Sequence, residues 1–242
     1  MKVMKAEQTT FAATITDIRQ ETPTIKSFVL DYGDQPFEFL PGQWIDLWLD
    51  VDGEPAVAGY SMTSAPTRRG SIQLAIKYGA NHRATRYLHQ RARVGEQVSI
   101  SAGSGSFYYQ REMGSRVVLI GAGVGVTPLL SILRHIHECH RDVEATLLYS
   151  VAVPEEVLFA DELNAMAESN PNIRLLVSVT QPGETGWHGL TGRIDEQKLR
   201  LAGLDGETLY YICGPNEMVD STAAELAALG IPQANIIYEK WW

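Results

Sequence analysis

Along this chain the apolar side chains recur with a period of two up to about residue 110, and the rhythm then changes once. Ile45-Asp46-Leu47-Trp48-Leu49-Asp50-Val51 and Ile72-Gln73-Leu74-Ala75-Ile76-Lys77-Tyr78 alternate apolar with polar residues, the pattern of strands with one buried face. Thr9 to Ile18 and Thr24 to Asp31 are rich in β-branched and aromatic residues. Turn signals at Tyr32-Gly33-Asp34, Pro41-Gly42, Asp52-Gly53 and Arg69-Gly70 separate these runs, and one helical stretch covers about Arg83 to Arg91. Short strands at this spacing predict an antiparallel barrel or sandwich.

From Arg116 onward strand and helix alternate. Val117-Val118-Leu119-Ile120 is a continuous apolar strand, followed by a glycine cluster and a helix to about His140. Strands are predicted over Ala145 to Val151, Ile173 to Thr180 and Thr208 to Cys213, with a last one ending at Tyr238. Between them lie helices over Glu155 to Glu168, Asp195 to Arg200 and Asn216 to Leu229. This alternation predicts a parallel sheet with helices on both faces. The change of rhythm falls at Met113-Gly114-Ser115, which divides the 242 residues into domains 1–113 and 114–242.

Composition excludes several functions. The net charge is −9 and no basic stripe is present, so a phosphate-tracking nucleic-acid binder is not expected. Two cysteines, Cys139 and Cys213, cannot supply four thiolates to an iron–sulfur or zinc site. The start, MKVMKAEQTT, has no apolar core of a secretory signal. The longest apolar run, Val117 to Leu133, is shorter than a membrane span of ~20 residues and is broken by glycines and Pro128. The expectation is a cytoplasmic protein with no membrane span. His135-Ile136-His137-Glu138-Cys139-His140 resembles a ligand cluster, but on a helix His135 and His137 point ~160° apart and no third ligand joins Cys139 and His135. No metal site is expected.

Gly121-Ala122-Gly123-Val124-Gly125-Val126-Thr127-Pro128 follows the first parallel strand and opens a helix. Gly121, Gly123 and Gly125 permit a tight turn whose backbone N–H groups approach a pyrophosphate. Thr127 is placed to cap the helix and Pro128 to occupy its first position. The spacing departs from GxGxxG, and no acidic residue closes the second strand. Cys213-Gly214-Pro215 forms a second glycine turn into a helix. Ligands bind at the carboxyl ends of such strands, so two turns facing one crevice predict nucleotide binding.

These residues, with Tyr60-Ser61, Ser64-Ala65-Pro66, Gly105-Ser106-Phe107, Gly192-Arg193-Ile194 and Cys213 to Met218 in the same order, give a chain that resembles the ferredoxin–NADP reductase superfamily over nearly its whole length. The close, Glu239-Lys240-Trp241-Trp242, looks most like the branch called oxidoreductase NAD-binding domain-containing proteins. The resemblance implies a six-stranded antiparallel flavin-binding barrel followed by a five-stranded parallel nucleotide-binding sheet. It also implies an NAD(P)H-dependent flavin oxidoreductase that uses FAD and serves a redox protein or oxygenase partner.

By similarity Tyr60, Ser61, Ser64, Lys77, Thr85, Trp241 and Trp242 face the flavin. Gly121, Gly123, Gly125, Thr127, Pro128, Cys213, Gly214, Pro215 and Met218 face the nicotinamide nucleotide, and Ser61, Cys213 and Glu239 surround the contact between the two. The residues alone leave plainer readings open: Tyr60 as barrel packing, Cys213 as a buried thiol, Glu239 as an exposed strand residue, the tryptophans as apolar packing. Two departures stand out. Ala58 occupies the place of an arginine that clamps the flavin phosphate in the family, and His82 the place of a glycine. Arg68, Arg83 or Arg86 either substitute for the clamp or are solvated surface charge. Ala152 and Gln181 stand where NADPH-using relatives carry arginine, which favours NADH. Alternatives are an NADH:flavin reductase with flavin as substrate and a nucleotide-sensing module without turnover.

Overall fold

The computed structural model describes residues 9–183 and 186–241, so Trp242 lies outside the described residues. The first sheet contains β1 (Thr10–Gln20), β2 (Ile25–Asp31), β3 (Trp44–Val51), β4 (Glu54–Ser61), β5 (Ser71–Lys77) and β6 (Gln97–Ser101), with helix α1 (Arg83–Gln90) before β6. Every pair is antiparallel, in the order β4-β3-β6-β1-β2-β5. The two edge strands meet at one end, where Met62 bridges Leu74 and the Thr63 N–H donates to the Gln73 carbonyl at 2.8 Å. That contact draws the sheet into a barrel and protects its edges.

Side-chain alternation shapes β3: Ile45, Leu47, Leu49 and Val51 are buried, and Trp44, Asp46 and Trp48 turn to the other face. Asp52 and Gly53 then reverse the chain with φ of 59° and 78°, the double positive φ that an Asp-Gly hairpin adopts. β4 and β6 carry weaker sequence signals, β4 because Pro55, Ala56, Ala58 and Gly59 interrupt any alternation of bulk.

The second sheet contains β7 (Arg116–Ala122), β8 (Glu144–Val151), β9 (Ile173–Val179), β10 (Leu190–Thr191), β11 (Leu209–Gly214) and β12 (Ile236–Lys240). Helices α2 (Val126–Cys139), α3 (Ala160–Ser169), α4 (Glu196–Ala202) and α5 (Asn216–Ala228) connect them. All pairs are parallel, in the order β10-β9-β8-β7-β11-β12. This sheet has six strands rather than the expected five. The added strand is β10, whose two residues pair with Ser178 and Val179 and are too few to show a period.

Both faces of this sheet are covered. Val117, Leu119, Leu147, Tyr149, Tyr211 and Cys213 point toward α2 and α3, whereas Val118, Ile120, Leu148, Tyr210 and Ile212 pack under α4 and α5. The first of these cores also takes in Ile25, Ala75, Phe107 and Tyr109 from the barrel side, so the two units share buried apolar surface. Tyr211 extends that junction by donating to the Tyr108 carbonyl at 2.8 Å and meeting Phe107 edge to face at 5.4 Å. Among the described residues, no helix is long and apolar enough to cross a membrane, and no group of three or more metal-ligating side chains gathers.

Candidate functional site

The strand order of the parallel sheet reverses between β7 and β11. Splayed loops at such a reversal open a crevice at the carboxyl ends of the strands. Both glycine turns stand there. A Cβ on Gly125 would lie 2.5 Å from Gly214 Cα and 2.6 Å from the Cys213 carbonyl oxygen, so the turns pack backbone to backbone. Gly121 is pinned under α2, where a Cβ would meet Leu129 Cδ1 at 2.8 Å. Gly123 has φ of 53° and nothing within 4 Å of its Cβ position, which leaves its backbone open to a ligand.

The start of α2 corrects one expectation. Thr127 lies inside the helix, and its hydroxyl donates to the Val124 carbonyl at 2.9 Å instead of capping. Pro128 is the third helical residue, still within the first turn, where an N–H has no intrahelical acceptor to lose. No side chain caps α2 or α5, whose N-cap residues are Gly125 and Pro215. Uncapped N–H groups at a helix start are a suitable cradle for phosphate. Met218, in the first turn of α5, packs its Cε 2.6 Å from the Cβ position of Gly214.

Across the crevice, β4 presents two faces. Tyr60 and Ala58 lie partly buried against the barrel core. The Tyr60 hydroxyl is buried with no hydrogen-bond partner, and burial pushes its pKa up. Ser61 is buried opposite Trp44 in the β3–β4 register, on the same face as Gly59. Gly59 adds no side chain, and the Trp241 indole lies over it, with Cζ3 3.3 Å from the Cβ position. Trp241 meets Trp44 edge to face at 6.0 Å and donates its Nε1–H to Glu239 Oε2 at 2.8 Å.

Glu239 Oε1 is 3.8 Å from the Cβ position of Gly105, whose φ is 99°, and a Cβ there would lie 2.7 Å from Trp44 Nε1, so only a glycine fits. Cys213 is the register partner of Glu239 and has no exposed surface. Burial, then the charge of Glu239, pushes the Cys213 thiol up, so it stays protonated. Burial also raises the Glu239 carboxyl, partly offset by the Trp241 hydrogen bond.

The structure thus gathers Ser61, Glu239, Cys213 and Trp241, and adds Trp44 and Gly59, which the sequence reading did not single out. An outward-facing indole at the start of a barrel strand was the available signal for Trp44. Other expected residues are engaged elsewhere. The Thr85 hydroxyl donates to the Gly79 carbonyl at 3.0 Å and the His82 carbonyl at 3.1 Å, closing its own loop. Ser64 Oγ accepts the Gln73 N–H at 3.0 Å. Lys77 is exposed at the end of β5. Of the arginines weighed as replacement clamps, Arg83 donates to the Val51 carbonyl and Arg68 to Ser71 Oγ. The Arg86 side chain has no hydrogen bond or ion pair among the described residues and lies in the first turn of α1, which no side chain caps. Two clefts lie away from this cluster: one of about 320 Å³ at the amino ends of the parallel strands, by Arg116 and Asp205, and one of about 430 Å³ beside α1, by Tyr87 and Glu96.

The Tyr60 hydroxyl is an unmet polar group on one face of β4, and on the other the Trp241 and Trp44 indoles beside Ser61 give an aromatic lining that suits a planar ring with polar edges. The paired glycine turns suit a dinucleotide.

Comparison with known proteins agrees with this geometry. The Oxidoreductase FAD-binding domain family matches residues 13–109, and the Oxidoreductase NAD-binding domain family matches residues 119–224. Oxidoreductase NAD-binding domain-containing protein 1 of Danio rerio is 32% identical over 252 residues, 96% of this chain and 92% of that protein. The glycine betaine monooxygenase reductase subunit of Chromohalobacter salexigens is 28% identical over 221 residues, 89% of this chain and 60% of that one. The FAD/NAD-binding domain of nitric oxide dioxygenase from Vibrio cholerae superposes with a TM-score of 0.84 at 27% identity, covering 96% of this chain and 98% of that one. A ferredoxin NADP+ reductase from Neisseria gonorrhoeae, solved with FAD and NADP bound, shares the fold with a TM-score of 0.83 at 22% identity, covering 98% and 100%. A barrel that binds FAD, packed against a parallel sheet that binds NAD, makes this chain a member of the ferredoxin–NADP reductase-like oxidoreductases, alongside the oxidoreductase NAD-binding domain-containing proteins.

Proposed function

We propose that this protein takes hydride from NADH onto FAD held between units 1–113 and 114–242 and passes the electrons to a separate acceptor. The observation that carries the reading is an unbroken line of neighbours from one subsite to the other. Gly125 packs on Gly214, Cys213 pairs with Glu239, Glu239 holds Trp241, and Trp241 covers Gly59 beside Ser61. FAD, when bound, supplies a ring that accepts two electrons as hydride and releases them singly. Ser61 would offer a hydroxyl to the ring's reactive edge. Cys213, buried and kept neutral, would back the nicotinamide subsite without adding charge to it. Glu239, with its raised pKa, holds or releases a proton at Oε1 as the charge beside it changes.

The preference for NADH rests on the ends of β8 and β9. Gln181 donates its N–H to the Ala152 carbonyl at 2.8 Å, so these two positions adjoin, and neither offers a cation to a 2′-phosphate. For the acceptor, the similarity to a monooxygenase reductase subunit supports a redox protein or an oxygenase component. A second reading is favoured by Ala58. With Arg83 and Arg68 engaged and no arginine on β4, only Arg86 of the three weighed arginines is left for the charge-assisted bond to the flavin phosphate, worth ~1.5–3 kcal/mol, and without that bond flavin exchanges as a substrate. Desalting the FAD-loaded protein and comparing kcat/KM for NADH and NADPH tests both points. Retained flavin with NADH preferred supports the first reading, flavin lost with saturable turnover of added flavin supports the second, and NADPH preferred overturns the donor assignment.

A further inference from the structure

The segment that continues from Ser61 is bonded directly to the helix that begins at the first glycine turn. Ser131 Oγ, on α2, donates to the Ser64 carbonyl at 2.7 Å in a fully buried bond. One turn further along α2, Arg134 Nη1 donates to the Thr63 carbonyl at 2.7 Å and to Gln73 Oε1 at 2.8 Å. Its Nε and Nη2 grip both carboxylate oxygens of Glu162 on α3, each at 2.7 Å. The guanidinium also lies 4.7 Å from the centre of the Phe159 ring, and Phe159 holds a left-handed φ of 56° at the start of α3. Thr63 donates its hydroxyl to the same Gln73 Oε1 at 3.0 Å.

The Arg134 side chain is only 9% exposed. Burying a guanidinium is costly unless its donors are met in good geometry, and an apolar side chain of similar volume would fill the slot more cheaply. What the charged fork adds is direction: planar bonds that hold in one orientation only. Arg134 stands eight residues beyond Val126, so its anchor lies ~12 Å along a rigid helix from the turn at Gly123 to Gly125. A tilt about that anchor moves the turn.

We propose that Arg134 is a positioning residue, which locks the strand end 61–64 to α2 and so sets the spacing between the nicotinamide and flavin subsites. The proposal rests on the hydride-transfer reading above. Reacting atoms misplaced by ~1 Å lose about a hundredfold in rate, so the spacing is worth fixing with a buried charge.

Arg134→Lys keeps the charge but loses the fork, and Glu162→Gln leaves both barrel bonds and weakens the α3 grip. For each, the measurements are FAD and NAD+ dissociation constants, the rate of flavin reduction by NADH, and backbone hydrogen exchange of residues 62–65 and 129–134 in the cofactor-free protein. Arg134→Lys is expected to keep both dissociation constants within about twofold, slow reduction at least about tenfold, and raise exchange at 62–65. Glu162→Gln should fall between it and the wild type. Unchanged exchange and unchanged reduction in Arg134→Lys overturn the proposal, as does a rate loss matched by equal losses in both affinities, which marks a merely structural role. If NADH fails to reduce the wild type, the hydride reading fails, and the exchange data still decide whether Arg134 locks the two units.

Discussion

Glu239 joins most of the site's contacts at the scale of single residues. Its carboxylate accepts the Trp241 indole N–H, lies beside Gly105 and pairs in register with Cys213. Burial raises its pKa in the fold, so the folded chain holds this proton more tightly than the unfolded chain does. The stabilisation is full below the unfolded pKa of about 4.3 and is lost as pH rises through the higher folded value. Glu239→Gln, which keeps an acceptor for Trp241 without the charge, should therefore melt close to the wild type near pH 4 and above it near pH 8. Thermal denaturation across about that range checks the sign, and a gap that closes or reverses with rising pH contradicts it. Tyr60, Ser61 and Cys213 drew attention in the sequence because each sits inside a short motif. Trp44 was not, because its role arises from β3–β4 register, which places it opposite Ser61 and under Trp241. Thr127 misled for a related reason: a hydroxyl near a helix start reads as a cap, but the helix began one residue earlier and its bond runs back to Val124.

Elements with a strong period were read correctly from the chain, and those without were not. β3, β5 and β7 announce themselves by alternation or continuous apolar character, whereas β10 consists of two residues and β4 is interrupted by small ones. α3 begins at Ala160, later than the predicted Glu155, because Pro154–Glu156 forms a separate short turn and Phe159 takes left-handed φ before the helix. The two glycine turns were legible as turns, but their mutual contact depends on the strand order, with β11 beside β7. That contact yields a test. Gly125→Ala would drive a Cβ to 2.5 Å from Gly214 Cα, against backbone that cannot rotate away. Forced repacking of this kind costs ~1–3 kcal/mol. Chemical denaturation should show that loss together with weaker NAD+ binding, and a variant with wild-type stability and affinity would show that the turns do not support one another.

At the scale of the whole molecule, Trp241, just after β12, ties the parallel sheet to the barrel by covering Gly59 and meeting Trp44. Under the proposed function an indole in that place would stack on the flavin ring for ~0.5–1.5 kcal/mol and stand where the nicotinamide would enter. Ending the chain at Lys240 should raise the FAD dissociation constant about two- to tenfold and lower that of NAD+. If the shortened chain only melts earlier and both constants hold, the indole is packing and no more.

The change of period near residue 114 falls between the strands of the two sheets, but the bonds that join those sheets' units, through Arg134, Ser131 and Tyr211, left no mark in the sequence. Those bonds join residues about 60 to 100 positions apart, a distance over which sequence periodicity carries no information. The central claim is that this junction holds FAD where NADH can reduce it. Anaerobic mixing of the FAD-loaded protein with NADH, followed at the flavin absorbance, tests it most directly. Saturable bleaching of the flavin by NADH, slower with NADPH, is the expected result. An FAD-loaded protein whose flavin stays oxidised in the presence of excess NADH and NADPH would contradict it.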